Sequence, residues 1–135
     1  MIAALGLAPH PEGGWYRELW SQPAADGTRP GRTMIHYLLG EGEASHWHRI
    51  DAEETWLHLA GAALALRMAA TASGPARRVT LAPCPSGAPA SVIVAPGHWQ
   101  AATTTGAWTL AACIVAPGFR FDGFELAPPD FDISD

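Results

Sequence analysis

A chain of 135 residues has the length of one domain, and its 14 Gly and 12 Pro leave room for short elements rather than long ones. The formal net charge is −5 and all eight basic residues are arginines, which excludes lysine Schiff-base or general-base chemistry and argues against a polyanion partner such as nucleic acid. Cys84 and Cys113 lack C-x-x-C spacing, so neither a disulfide framework nor a cysteine zinc site is expected.

In chain order, the apolar start at 1–9 lacks a basic leader, and no apolar run approaches the roughly 18 residues of a membrane span, so a cytoplasmic protein with no membrane partner is expected. One turn of helix fits at 2–7. Gly and Pro then cut the chain into candidate strands at 15–21, 33–39, 44–49, 54–60, 63–68, 77–81, 90–94, 99–104, 108–115 and 119–125. Some ten short strands without an internal repeat predict a single all-β domain, either a two-sheet jelly roll or a closed barrel, which also hides strand edges. Residues 128–135 read as an acidic tail that either drapes over the surface or frays.

The stretch Ser45-His46-Trp47-His48-Arg49-Ile50-Asp51-Ala52-Glu53-Glu54-Thr55-Trp56-Leu57-His58 carries the chemistry. Strict strand alternation would put His46 and His48 on one face, with Trp47 on the other, and would align Glu54, Trp56 and His58 on the next strand. Two imidazoles two residues apart and a carboxylate from a paired strand can form a facial ligand set with open positions.

These residues resemble the first motif of the cupin superfamily, G-x5-H-x-H-x3,4-E-x6-G, here His46-x-His48-x5-Glu54-x6-Gly61 with a turn one residue longer. The chain is more closely similar to the family-5 cupins, a group long described as a domain of unknown function. That likeness is carried by His10-Pro-Glu-Gly-Gly-Trp-Tyr-Arg-Glu18, by 45–54, by Gly97-His-Trp-Gln-Ala-Ala102, and by Val115-Ala-Pro-Gly-Phe119 with Phe124-Glu-Leu126. It implies a cupin double-stranded β-helix, or jelly-roll barrel, over nearly the whole chain. The second cupin motif, P-x-G-x2-H, is altered here: Pro96 adjoins Gly97, and Gln100 stands where a third histidine would be. The resemblance thus implies a metal set of His46, His48, Glu54 and Gln100 for a divalent zinc, iron, nickel or manganese ion, with glutamine a poorer ligand than imidazole.

Around that set, Arg17 is a candidate clamp for a substrate carboxylate or phosphate, or else a salt-bridge partner of Glu12, Glu18 or Glu54. His58 is a candidate general base, or a hydrogen-bonded core histidine. Trp56 would wall the pocket, and His98, of the same parity as Gln100, could stand in as ligand or pocket residue. His10 and His36 show no partner in sequence and read as structural. The function expected is that of a small-molecule-binding cupin. It would be a metal-assisted enzyme on a small polar, sugar-like or carboxylate substrate, a metal-free epimerase or isomerase, or a non-catalytic binding module. Trp- and Ala-rich strands on a small barrel predict a homodimer.

Overall fold

The computed structural model describes residues 1–135. After a single helical turn, α1 (Ile2–Leu5), the chain is built of strands: β1 (Ala8–Pro9), β2 (Trp15–Gln22), β3 (Arg32–Gly40), β4 (Ala44–Ile50), β5 (Glu53–Gly61), β6 (Leu64–Ala69), β7 (Arg77–Leu81), β8 (Ser91–Val94), β9 (Trp99–Thr104), β10 (Trp108–Ala116) and β11 (Phe124–Leu126). The predicted strands match in order and position except at the end. There a 3-10 turn, Phe121–Gly123, replaces the first half of the last strand, and β1 is an addition of two residues. No helix is long and apolar enough to cross a membrane.

The strands form two antiparallel sheets, β1-β2-β3-β10-β5-β8 and β11-β4-β9-β6-β7. Apart from β1-β2-β3 and β6-β7, neighbours in each sheet are far apart in sequence, as in a double-stranded β-helix. The alternation of β5 shows why: Glu54, Trp56 and His58 are buried while Glu53 and Leu59 are exposed, so each strand gives one face to the space between the sheets. Leu39, Leu64, Leu66, Met68, Leu81 and Val94 fill one end of that space with Tyr37 and Trp56. Ile50, Ala52 and Val115 close the other end, packed with Phe119 and Phe124. The polar site lies between these two apolar plugs.

A further apolar layer sits outside the five-stranded sheet, where Trp47, Ala69, Ala76 and Trp99 pack with Ala127 and Ile133. The acidic tail therefore drapes and does not fray. Asp132 accepts from Trp47 Nε1 at 2.9 Å and from Arg67 at 3.0 Å, and Asp135 pairs with both Arg67 and Arg78.

Candidate functional site

The site begins at the turn His10-Pro-Glu-Gly-Gly14. Gly13 and Gly14 take φ of 107° and 73°, and a Cβ at Gly13 would lie 2.0 Å from the Ala44 carbonyl oxygen, so only glycine lets this turn press against β4. The Glu12 carbonyl accepts the His46 N–H at 2.8 Å, and the Glu12 side chain points between the sheets.

That contact coincides with a break in β4. Ser45 pairs with Ala102 and His48 with Gln100, so His46 and Trp47 together oppose the single residue Ala101. A bulge of this kind adds one residue and inverts the alternation beyond it. Ser45 and His48 consequently face inward, whereas Trp47 and His46 face out, His46 with Nε2 2.8 Å from the Pro128 carbonyl of the tail. The convergence of His46 and His48 expected from strict alternation is thus corrected.

Inside, two imidazoles and two carboxyls line a cavity of about 30 Å³: His10, Glu12, His48 and Glu54, walled by Tyr16, Thr33, Ile35, Ile50, Val115 and Phe119. The His48 ring is oriented by its own strand, Nδ1 donating to the His46 carbonyl at 2.8 Å. Nε2 is then the lone-pair nitrogen, and it lies 3.5 Å from Glu12 Oε2. His10 Nδ1 accepts the Glu12 backbone N–H at 3.1 Å and sits 3.2 Å from Glu12 Oε1. The Glu12 carboxyl, which also accepts from the Ser45 hydroxyl, is therefore held between two imidazole lone pairs.

Burial sets the protonation of this array. It pushes Glu12 up to about 8 and Glu54 up to about 7, and it pulls His10 down to about 4, with His48 also lowered. In each case loss of water around the charged form is the main cause. At neutral pH the imidazoles are uncharged, Glu12 is mostly protonated, and Glu54 is poised between its two forms.

Gln100 is fully buried and closes the floor. Its Oε1 accepts from Trp56 Nε1 at 2.6 Å and its Nε2 donates to Glu54 Oε1 at 2.8 Å. An indole N–H can only donate, so the amide oxygen must face Trp56, and it is the amide Nε2, which cannot ligate, that faces Glu54. The metal set His46, His48, Glu54 and Gln100 accordingly does not fit an ion: one imidazole faces out and the glutamine turns its nitrogen to Glu54. No three His, Cys, Asp or Glu side chains are grouped to hold one elsewhere.

Three other residues lie away from the cavity. Arg17 is exposed, because Tyr16 takes the inward position on β2, and its Nη1 reaches only the Leu5 carbonyl at 3.4 Å. It pairs with none of Glu12, Glu18 or Glu54. His58 is buried four residues along β5 from Glu54, about 13 Å at the usual strand rise, and its Nε2 bonds the Ala62 carbonyl at 2.9 Å. His98 precedes β9, in a turn where its N–H donates to the Ala95 carbonyl at 3.1 Å, so strand parity does not apply to it. Trp56 serves as floor and core, edge-on to Tyr37 with ring centroids 5.6 Å apart. The residues that sequence reasoning missed are His10 and Glu12; the available signal was the pair of glycines directly after an acid.

Two antiparallel sheets of this strand order enclosing a polar site are the architecture of the cupin double-stranded β-helix. The profile of a family described as Cupin superfamily (DUF985) matches residues 1–127, and the chain belongs to that family. Among solved structures it is similar to a protein of Shewanella oneidensis, with 34% identity over 93% of this chain and 81% of that one and a TM-score of 0.85. A hypothetical protein from Leishmania major has 29% identity over 93% of this chain and 84% of that one, with a TM-score of 0.80. Oxalate decarboxylase of Bacillus subtilis, at 9% identity, 87% of this chain, 29% of that one and a TM-score of 0.66, shares the fold alone. No curated protein matches the chain.

Proposed function

We propose that the chain is a small-molecule-binding cupin whose inner cavity moves protons on a small polar molecule without a metal ion, in the manner of an isomerase or epimerase. The observation that carries this reading is the buried carboxyl of Glu12 set 3.5 Å from the free Nε2 of His48 beside a cavity. A base and an acid whose pKa values are driven apart by burial are what proton abstraction next to a carbonyl requires. His48 Nε2 takes the proton from the carbon, and the Glu12 carboxyl gives its proton to the carbonyl oxygen. The resulting enol is resolved by the reverse transfers at the neighbouring carbon or on the opposite face. Glu54, with a pKa of about 7, can serve as a second proton carrier at that stage.

About 30 Å³ is room for roughly two water molecules, so only the reacting end of a substrate enters. The same small volume favours a second reading, in which the array holds a small neutral ligand without turning it over.

Proton NMR in D2O distinguishes the two, using dihydroxyacetone, glyceraldehyde and erythrulose as probes. Deuterium entering next to the carbonyl with wild type, and lost in His48→Ala and Glu12→Gln, supports catalysis. Saturation transfer to a probe without deuterium entry supports binding alone. Neither signal with any probe, together with no small molecule co-purifying by mass spectrometry, counts against both.

A further inference from the structure

The outer face of the five-stranded sheet carries a cleft of about 290 Å³ beside the draped tail, against about 30 Å³ for the cavity between the sheets. The strand register explains the hollow. Ala44, Thr103, Ala65 and Thr80 align in one row across β4, β9, β6 and β7, and each alternates with a buried neighbour, Ser45, Ala102, Leu66 or Leu81. Short side chains along that row, with Ala101 beside them, make a flat floor. The tail packs further along the strands, on Trp47, Ala69, Ala76 and Trp99, and only its Phe131 and Asp132 reach the cleft.

Donors outnumber acceptors around this floor. Two arginines line the cleft, Arg67 and Arg78, against one carboxylate, Asp132. That carboxylate already accepts from Trp47 Nε1 at 2.9 Å and from Arg67 Nη1 at 3.0 Å. Arg78 engages only its Nε, with Asp135 at 2.6 Å, so both of its terminal amino groups are free. Arg67 keeps a buried Nε–H with no partner, and Thr80 and Thr103 add two exposed hydroxyls. The complementary ligand therefore brings acceptors and negative charge. Its remainder must be apolar, because the rest of the lining is the alanine floor and Phe131, whose ring packs on Trp99 with centroids 5.1 Å apart.

We propose that this cleft is a second ligand site, for a small aromatic carboxylate. The ring lies on the floor of Ala65 and Ala101 against Phe131, and the carboxylate takes the two free amino groups of Arg78 as a bidentate pair. The volume stands near the lower end, roughly 300 Å³, of small-molecule pockets, which suits one or two fused rings, and a flat floor suits a planar ring better than a branched chain. The site lies on the opposite face of the sheet from the inner cavity and is independent of the reading given to that cavity.

Amide chemical-shift mapping of the nitrogen-15-labelled chain, with benzoate and 2-naphthoate as probes, tests it. Saturable shifts are expected at Ala65, Arg78, Thr80, Thr103 and Phe131, with a dissociation constant on the order of 1 mM or tighter for 2-naphthoate. Arg78→Gln should weaken that binding by about tenfold or more, and neutral 2-naphthamide should lose a similar factor on wild type. Ala65→Leu fills the floor and should abolish binding. Asp135→Asn breaks the same ion pair as Arg78→Gln, yet it removes the tail carboxylate that competes for the guanidinium, so it should tighten binding. That opposite sign separates contact with the ligand from a merely structural pairing of tail and sheet. Shifts confined to residues of the inner cavity, no saturation by about 10 mM probe, amide and acid binding alike, Ala65→Leu binding as wild type does, or Asp135→Asn weakening binding as Arg78→Gln does would each overturn the proposal.

Discussion

His48 offers its free Nε2 to the Glu12 carboxyl at 3.5 Å while its Nδ1 is tied to the His46 carbonyl. The bulge that turns His46 outward therefore also fixes the tautomer of the histidine that stays inside. Long-range nitrogen–proton NMR should find His48 as the Nδ1–H form, neutral down to a pH below the ordinary 6.5 because burial disfavours the imidazolium. An Nε2–H form, or ordinary titration near 6.5, would contradict the geometry.

Stability should depend on pH in a way set by the buried array. Glu12 and Glu54 titrate higher in the native state than their ordinary 4.5, so the native state holds more protons and stability falls as pH rises, up to about 7 for Glu54 and about 8 for Glu12. His10 and His48 titrate lower than 6.5, so stability falls as pH drops below 6.5, for His10 down to about 4. Between about 4.5 and 6.5 the two effects oppose each other; from 6.5 to 8 only the carboxyls act and stability declines. Glu12→Gln should gain on wild type steadily across that upper range in urea unfolding. A gap between the two proteins that stays constant with pH would show that Glu12 is ionised throughout.

Gln100 satisfies two buried groups at once, Trp56 Nε1–H and the Glu54 carboxyl. Gln100→Ala strands both, at about 1–3 kcal/mol for each, so a loss of roughly 2–6 kcal/mol is expected in denaturant unfolding. A loss below about 1 kcal/mol would mean that the Trp56–Gln100–Glu54 chain is not formed.

Completing the histidine pattern should not complete a metal site. With His46 facing the tail, Gln100→His leaves one imidazole short of the expected set, and calorimetric titration with zinc or nickel should show no high-affinity site in this variant or in wild type. Tight binding abolished by His46→Ala would show that the bulge can reverse.

The tail is held by packing as well as by charge. Ile133 is almost wholly buried against the layer containing Trp47 and Trp99, so Ile133→Ala should cost roughly 2–4 kcal/mol in thermal or urea unfolding. Raising the salt concentration should weaken the exposed pairs of Asp132 and Asp135 with Arg67 and Arg78, each a minor contribution, and leave most of the tail's contribution intact.

Strand positions were legible in the chain because Gly and Pro bound each apolar run and alternation repeats every two residues. That rule placed Glu54, Trp56 and His58 on one face of β5, where no extra residue falls between them, while Gln100 was marked by its place in the second cupin motif. It failed at His46, where a single extra residue in β4 exchanges inside for outside. Nothing local announces that residue, because it is set by the Glu12 carbonyl, 34 positions earlier, capturing the His46 N–H.

The sequence by itself thus determined the class of fold, the order of the strands and one wall of the cavity, all of which depend on periodicity within short segments. Only the tertiary structure decided which imidazole looks inward, that Arg17 stays outside, and that His10 and Glu12 complete the site. Those outcomes depend on contacts between β4, the Gly13-Gly14 turn and the tail, and a pairing between segments so distant along the chain leaves no period in the sequence to read.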